Sequence, residues 1–280
     1  MGHKTEHMKK IFFLLTASVS LTALSAQVKE GTIYYDQKVN MYKTIQDEQM
    51  RAMMPEFRTS KFMLLFSDSV SIYKVVPEDE APDPFAGGGG GTRMIFRMGA
   101  GGGDLYKNFA QSKSIQASEL GGKNFLIVDS IKQQPWKLST DTKQILGHNC
   151  HKATRKVMQS ANGPVRRILM GGGNTTPDTT ALKQQPAKEI EVVAWYADDI
   201  VSPVGPENYG QLPGVILQLD VDNGTTVFTA TDVKKTVDTK ELKEPKKGKV
   251  VTRQEFSKIM TDMMGSPGGP GGVVRFGGGE

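Results

Sequence analysis

The side chains most able to do chemistry are concentrated in His148-Asn149-Cys150-His151, two imidazoles and a thiol within four residues. Such groups ligate zinc or copper. On an extended strand, however, His148 and Cys150 share one face and His151 takes the other, so at most two could meet one ion locally. A structural zinc takes about four ligands and a catalytic one about three, and no second Cys/His pair lies nearby. The fourteen methionines, among them Met94, Met98, Met170, Met260, Met263 and Met264, could add soft ligands for copper. The competing reading is a buried strand cysteine flanked by solvated histidines, with Met260 and Met263 packing from a helix.

Catalytic constellations are not readable. Asp198 and Asp199 could suggest paired carboxylates, but neighbours on an extended chain face opposite ways, which favours a turn or a solvated role. Cys150 as a nucleophile would need a base and an environment that favours the thiolate, and no third orienting group is evident. The glycine run at 87–91 lacks the preceding strand, following helix and Lys-Ser/Thr pair of a phosphate-cradling loop. The expectation is a protein that is not an enzyme and has no obligatory cofactor, with copper or zinc at His148, Cys150 and His151 as the alternative.

The elements that would position these groups read as strands. Thr32-Ile33-Tyr34-Tyr35 opens a first strand, and 60–76 reads as two strands around Ser67-Asp68-Ser69. Residues 46–54 read as a short helical excursion stopped by Pro55. Further strands are expected at 105–109, 114–117, 125–128, 136–138, 142–146 and 148–154. Glu189 to Tyr196 is the strongest strand signal, and Asp222-Asn223-Gly224 marks a hairpin between 215–221 and 225–230. Residues 253–264 space Phe256, Ile259, Met260 and Met263 as a helix does. Regular turns between short strands predict a mainly β fold, a curved antiparallel sheet or half-open barrel, with a short C-terminal helix.

Residues 1–26 have the layout of a secretory signal peptide: Lys9-Lys10, an apolar run, then Leu24-Ser25-Ala26, with Met8 as the native start and 1–7 as extra leader. The run is too short and too rich in Ser and Thr for a good membrane span. Cleavage removes three lysines and one glutamate, lowering the formal net charge from +5 to +3. That mild, diluted surplus argues against nucleic acid. One cysteine excludes an internal disulfide, so the core must hold the fold. Residues 27–240 read as one β-rich domain, with a glycine-rich insertion at 86–103 and a polar loop at 161–187. Residues 241–280 read as a basic linker, the short helix and a Gly-rich tail.

The most distinctive stretch is Gln211-Leu212-Pro213-Gly214-Val215-Ile216, with Tyr209-Gly210 ahead of it. Pro213-Gly214 suits a type II turn, with glycine accepting a positive φ and Leu212 and Ile216 packing beside it. Together with Trp136-Lys137-Leu138, Gly147 to Ala153, Ala194-Trp195-Tyr196 and Gly205-Pro206, this stretch resembles the GLPGLI family of exported proteins from Bacteroidetes-type bacteria. Gln211 stands where the family name has glycine, and Val215 where it has leucine. The resemblance spans about 31–237 and brings no established activity. Its strand pattern is similar to that of periplasmic lipoprotein-carrier proteins, whose curved sheet cups a helix and an apolar groove.

The resulting expectation is an exported cell-envelope protein, periplasmic or secreted, that binds or carries an apolar or peptide-like ligand or partner. An outer-membrane transporter would be one such partner. Trp195, Tyr196, Tyr209, Leu212, Pro213 and Gly214 are the candidate ligand-contacting or structural residues.

Overall fold

A computed structural model describes residues 28–45, 48–76, 103–159 and 188–265. The signal peptide, nearly all of the glycine-rich insertion, the polar loop, Met94, Met98, Met170 and the tail lie outside the described residues. Twelve strands form one sheet: β1 (Gly31–Asn40), β2 (Phe57–Phe66), β3 (Val70–Val75), β4 (Leu105–Asn108), β5 (Lys113–Leu120), β6 (Lys123–Ser130), β7 (Lys137–Ile145), β8 (His148–Gln159), β9 (Lys188–Ala197), β10 (Ile216–Val221), β11 (Thr226–Lys234) and β12 (Lys249–Thr252). Among the described residues three helices accompany them: α1 (Met41–Thr44), α2 (Glu48–Ala52) and α3 (Arg253–Gly265).

The strand order is β12-β6-β5-β4-β3-β2-β1-β11-β10-β9-β8-β7, so the sheet is open, with β12 and β7 at its edges. Two antiparallel meanders, β1 to β6 and β7 to β11, join where β1 pairs with β11. The expected mainly β, antiparallel architecture with a C-terminal helix is found, with one difference. The stretch read as a basic linker contains β12, which pairs parallel to β6 from Lys249 opposite Phe125 to Thr252 opposite Val128. Only Lys249, Val250, Val251 and Thr252 carry it, too few residues to leave a periodic signal.

Curvature follows from two hydrogen bonds. Lys107 on β4 donates to the Glu207 carbonyl, and Trp136, just before β7, donates to the Gly210 carbonyl. Flat, β4 and β7 would stand about 38 Å apart at about 4.8 Å per strand. Their acceptors lie three residues apart in the chain, a span of at most about 11 Å. The sheet must therefore curl around the loop that carries both acceptors.

Alternation sets the inner face. On β1, Ile33, Tyr35 and Gln37 are buried, while Lys38 is exposed and Tyr34 and Asp36 are half-buried. Ile33 and Tyr35 join Phe62, Leu64, Phe66, Tyr73, Leu105, Ala194 and Leu219 in the main core, and Phe62 and Tyr73 stack at 5.0 Å between ring centroids. At the other end α3 packs Phe256 and Met260 against Leu120, Phe125, Ile127 and Val251. Its start is fixed by a capping box: Glu255 N–H donates to Thr252 Oγ1, and Thr252 N–H donates to the Glu255 carboxylate.

Candidate functional site

The inner face is filled by the chain itself. Between β9 and β10, residues 198–215 fold back over the sheet, placing Ile200, Val204, Leu212 and Val215 in the main core. Within this connection, 203–211 forms an Ω-shaped loop whose neck is closed by Gln211 N–H donating to the Pro203 carbonyl at 2.8 Å. At its tip Glu207 adopts a φ of 49°.

Polar side chains from across the sheet converge on this tip. The Lys107 ammonium is 2.5 Å from the Glu207 carbonyl oxygen, and Gln37 Nε2 lies 3.4 Å from the Glu207 carboxylate. Burial pulls the Lys107 ammonium down to about 8, against the opposing pull of Glu207. Burial likewise pushes the Glu207 carboxyl up, with Lys107 resisting. Tyr73 is pushed up by burial and by the charges of Glu207 and Tyr35. Tyr209 rises to about 12 through burial and Glu207, partly offset by Arg155. The Tyr35 hydroxyl donates to the Ile216 carbonyl at 2.6 Å.

The signature segment has an architectural role that differs from the expected turn. Gly214 does not have a positive φ; the left-handed residue is Gln211, at 63°. Glycine is needed at 214 because the backbone presses against β9, where a Cβ would fall 1.6 Å from the Ala197 carbonyl oxygen. Gln211 holds its strained conformation with side-chain bonds, accepting from Gln134 N–H at 2.9 Å and donating to the Lys132 carbonyl at 2.8 Å. Gln134 also donates to the Asn208 carbonyl. The β6–β7 connection is thereby stitched to the loop. Leu212 is buried and Pro213 exposed.

Trp195 is half-buried on β9 beneath the Lys143 ammonium, 4.1 Å from its ring centroid. Tyr196 is buried, with its ring centroid 5.8 Å from that of His151. These two aromatics are not in the polar cluster, whereas Tyr209 is on the loop beside it. Lys107, Glu207, Gln37, Tyr73 and Arg155 escaped the sequence reading. One available signal was the parity of β4, which puts Lys107 on the same inner face as Leu105.

The histidines are not merely solvated. His148 Nδ1 lies 2.7 Å from Asp199, and His151 Nε2 lies 3.1 Å from Asp198, which also accepts from Asn149 at 3.0 Å. Hydrogen bonds from Asn149 and His151 hold the Asp198 carboxyl below its ordinary range. Cys150 is fully buried in the main core, and burial with the nearby Asp199 pushes its thiol up to about 11. Among the described residues no three His, Cys, Asp or Glu side chains are grouped as metal ligands.

Residues 136–218 match the family described as "Protein of unknown function (Porph_ging)". That span contains all the segments quoted above for the GLPGLI resemblance, from Trp136 to Ile216. No curated protein matches the chain. Among solved structures it is similar to PNGF-II in two crystal forms, at 16% identity with a TM-score of 0.49 and at 15% with 0.48, each covering 83% of this chain and 33% of that one. The chain thus spans about a third of the length of PNGF-II. It is also similar to LprF from Mycobacterium bovis, at 10% identity and a TM-score of 0.27, covering 79% of this chain and 91% of that one.

Proposed function

We propose that this chain is an exported, non-enzymatic binding protein of the cell envelope and a GLPGLI-type protein, using the inner face of its sheet to hold an apolar ligand or an apolar segment of an envelope partner. The observation that supports the reading is the aromatic and aliphatic inner face, with Tyr35, Phe62 and Tyr73, which here is filled by the irregular 198–215 connection, so a ligand would take the place of part of that connection. Loops are the common vehicle of recognition on a rigid scaffold. Among the described residues no helix is long and apolar enough to cross a membrane.

The test has two parts. Purified protein is extracted with organic solvent for lipid mass spectrometry and titrated with the apolar dye N-phenylnaphthylamine. Co-extraction of a stoichiometric apolar compound and saturable dye binding are expected; the absence of both would defeat the binding reading. Fractionation and N-terminal sequencing test export, with Gln27 as the expected first residue in a periplasmic or secreted pool. An uncleaved chain found only in the cytoplasm would defeat that part.

Metal binding at His148, Cys150 and His151 is the weaker reading. Each histidine already faces its own aspartate, and the thiol is in the apolar core. An outer-membrane transporter remains the proposed kind of envelope partner.

A further inference from the structure

The loop at 203–211 is poorly matched to what lies beneath it. Among the described residues, four buried side-chain polar atoms have no hydrogen-bond partner in the protein: Tyr73 Oη, Gln134 Oε1, Arg155 Nε and Ser202 Oγ. All four belong to residues around this loop. Tyr73 feels the charge of Glu207, and Gln134 bonds to Asn208. Arg155 lies over the Trp136 ring that holds Gly210 and acts electrostatically on Tyr209. Ser202 immediately precedes the neck.

Buried polar atoms left unsatisfied oppose closure, because opening returns them to water. The left-handed φ angles of Glu207 and Gln211 add strain to the closed loop. The stems outside the neck are held by backbone bonds: Ala197 N–H donates to the Val215 carbonyl at 2.8 Å, and Val215 N–H to the Ile200 carbonyl at 3.1 Å. The loop itself is tied down by side chains, with Lys107 and Gln37 bonded to Glu207, Gln134 to Asn208 and Trp136 to Gly210. An element tied this way between backbone-bonded stems opens locally, while the sheet stays folded, when water or a ligand takes over those bonds.

The charges say what could replace it. Lys107 presents its ammonium to the backbone carbonyl of Glu207 and opposes the upward shift of its carboxyl, and Arg155 lies with its guanidinium 5.4 Å over the Trp136 ring and acts electrostatically on Tyr209. Outward movement of 203–211 takes Glu207 away from the Lys107 ammonium, which lies on the same inner face as Leu105 and the core aromatics, and takes Tyr209 away from Arg155. Resting on the apolar-binding reading above, we propose that 203–211 is a displaceable plug, with Glu207 standing in for the head group of an anionic amphiphile whose chain lies on the inner face.

The experiment is hydrogen exchange on the purified protein, alone and with palmitate, phosphatidylglycerol vesicles or uncharged hexadecanol, with binding of each followed by displacement of N-phenylnaphthylamine. In the unliganded protein the Tyr209 and Gln211 amides should exchange at least about a hundredfold faster than those of Ala197 and Val215, as local opening requires. An amphiphile that selects the open state should raise loop exchange further. Palmitate acting without the vesicles identifies a free acid, and the vesicles acting without palmitate identify a lipid head group. Lys107→Met should erase at least about tenfold of the preference for the anion over hexadecanol, the scale of losing one charge-assisted contact.

Equal protection of loop and stems overturns the plug and needs no variant to read. Fast loop exchange with no preference for either anion over hexadecanol overturns the ligand assignment. Fast loop exchange with no binding of dye or any amphiphile instead overturns the apolar-binding reading on which the assignment rests.

Discussion

Gly214 lies so close to Ala197 that a single Cβ at 214 would fall 1.6 Å from the Ala197 carbonyl oxygen. The obstacle is backbone, and it belongs to the strand that β10 pairs with, so it cannot move aside alone. Gly214→Ala should therefore destabilise the protein by about 3 to 5 kcal/mol, in the range of severe core lesions. Urea unfolding followed by Trp fluorescence measures it, and a loss below about 1 kcal/mol would refute the close-approach account.

Gln211 offers a separable test of the same segment. Its left-handed φ is sterically costly, while its side chain makes bonds to Gln134 N–H and the Lys132 carbonyl. Gln211→Ala keeps the strain and loses both bonds, so a loss of about 2 kcal/mol is expected. Gln211→Gly loses the same bonds but relieves about 1 kcal/mol of strain, so it should be the milder change. Equal stability of the two variants in denaturant titration would mean the φ is not held in solution.

Strands were legible where they were long and patterned. Residues 189–196 lie within β9, Asp222-Asn223-Gly224 turns the chain between β10 and β11, and Phe256, Ile259, Met260 and Met263 pack from α3 as their spacing predicts. The signature hexapeptide was legible as architecture, but not its mechanism. Local turn chemistry assigns a glycine to φ, whereas Gly214 answers to a carbonyl seventeen residues earlier in the chain. The polar cluster was illegible for a similar reason. Lys107 and Glu207 are a hundred residues apart and meet only because the sheet curls, and a pattern of period two carries no curvature.

The thiol of Cys150 tests the site that looked most reactive in the sequence. Burial holds it at about 11 against an ordinary 9.0. At pH 8 that difference alone lowers the thiolate fraction about a hundredfold. Ellman's reagent should therefore label the native protein at least about a hundredfold more slowly than the urea-unfolded chain. The same preparation titrated with zinc or copper should show no stoichiometric binding lost on Cys150→Ala. Rapid native labelling, or a Cys150-dependent metal equivalent, would restore the metal reading.

Lys107 gives the molecule an alkaline signature. Its folded value of about 8 lies below the ordinary 10.5, so between these the unfolded chain binds more protons than the folded one. Stability must then rise with pH across that window, because the cost of a buried charge is present below about 8 and disappears as the folded ammonium loses its proton. The lysine alone contributes an increase of up to about 3 kcal/mol. The tyrosines act with opposite sign: Tyr209 is raised to about 12, and Tyr35 and Tyr73 are also raised. Above about pH 10 unfolded tyrosines ionise while folded ones resist, and stability falls. The urea midpoint should climb from pH 7 to a maximum between about 9 and 10 and then decline. Lys107→Met should remove the climb and leave the decline. A wild-type midpoint flat or falling from pH 8 to 9.5 would mean that the Lys107 ammonium is not buried beneath Glu207.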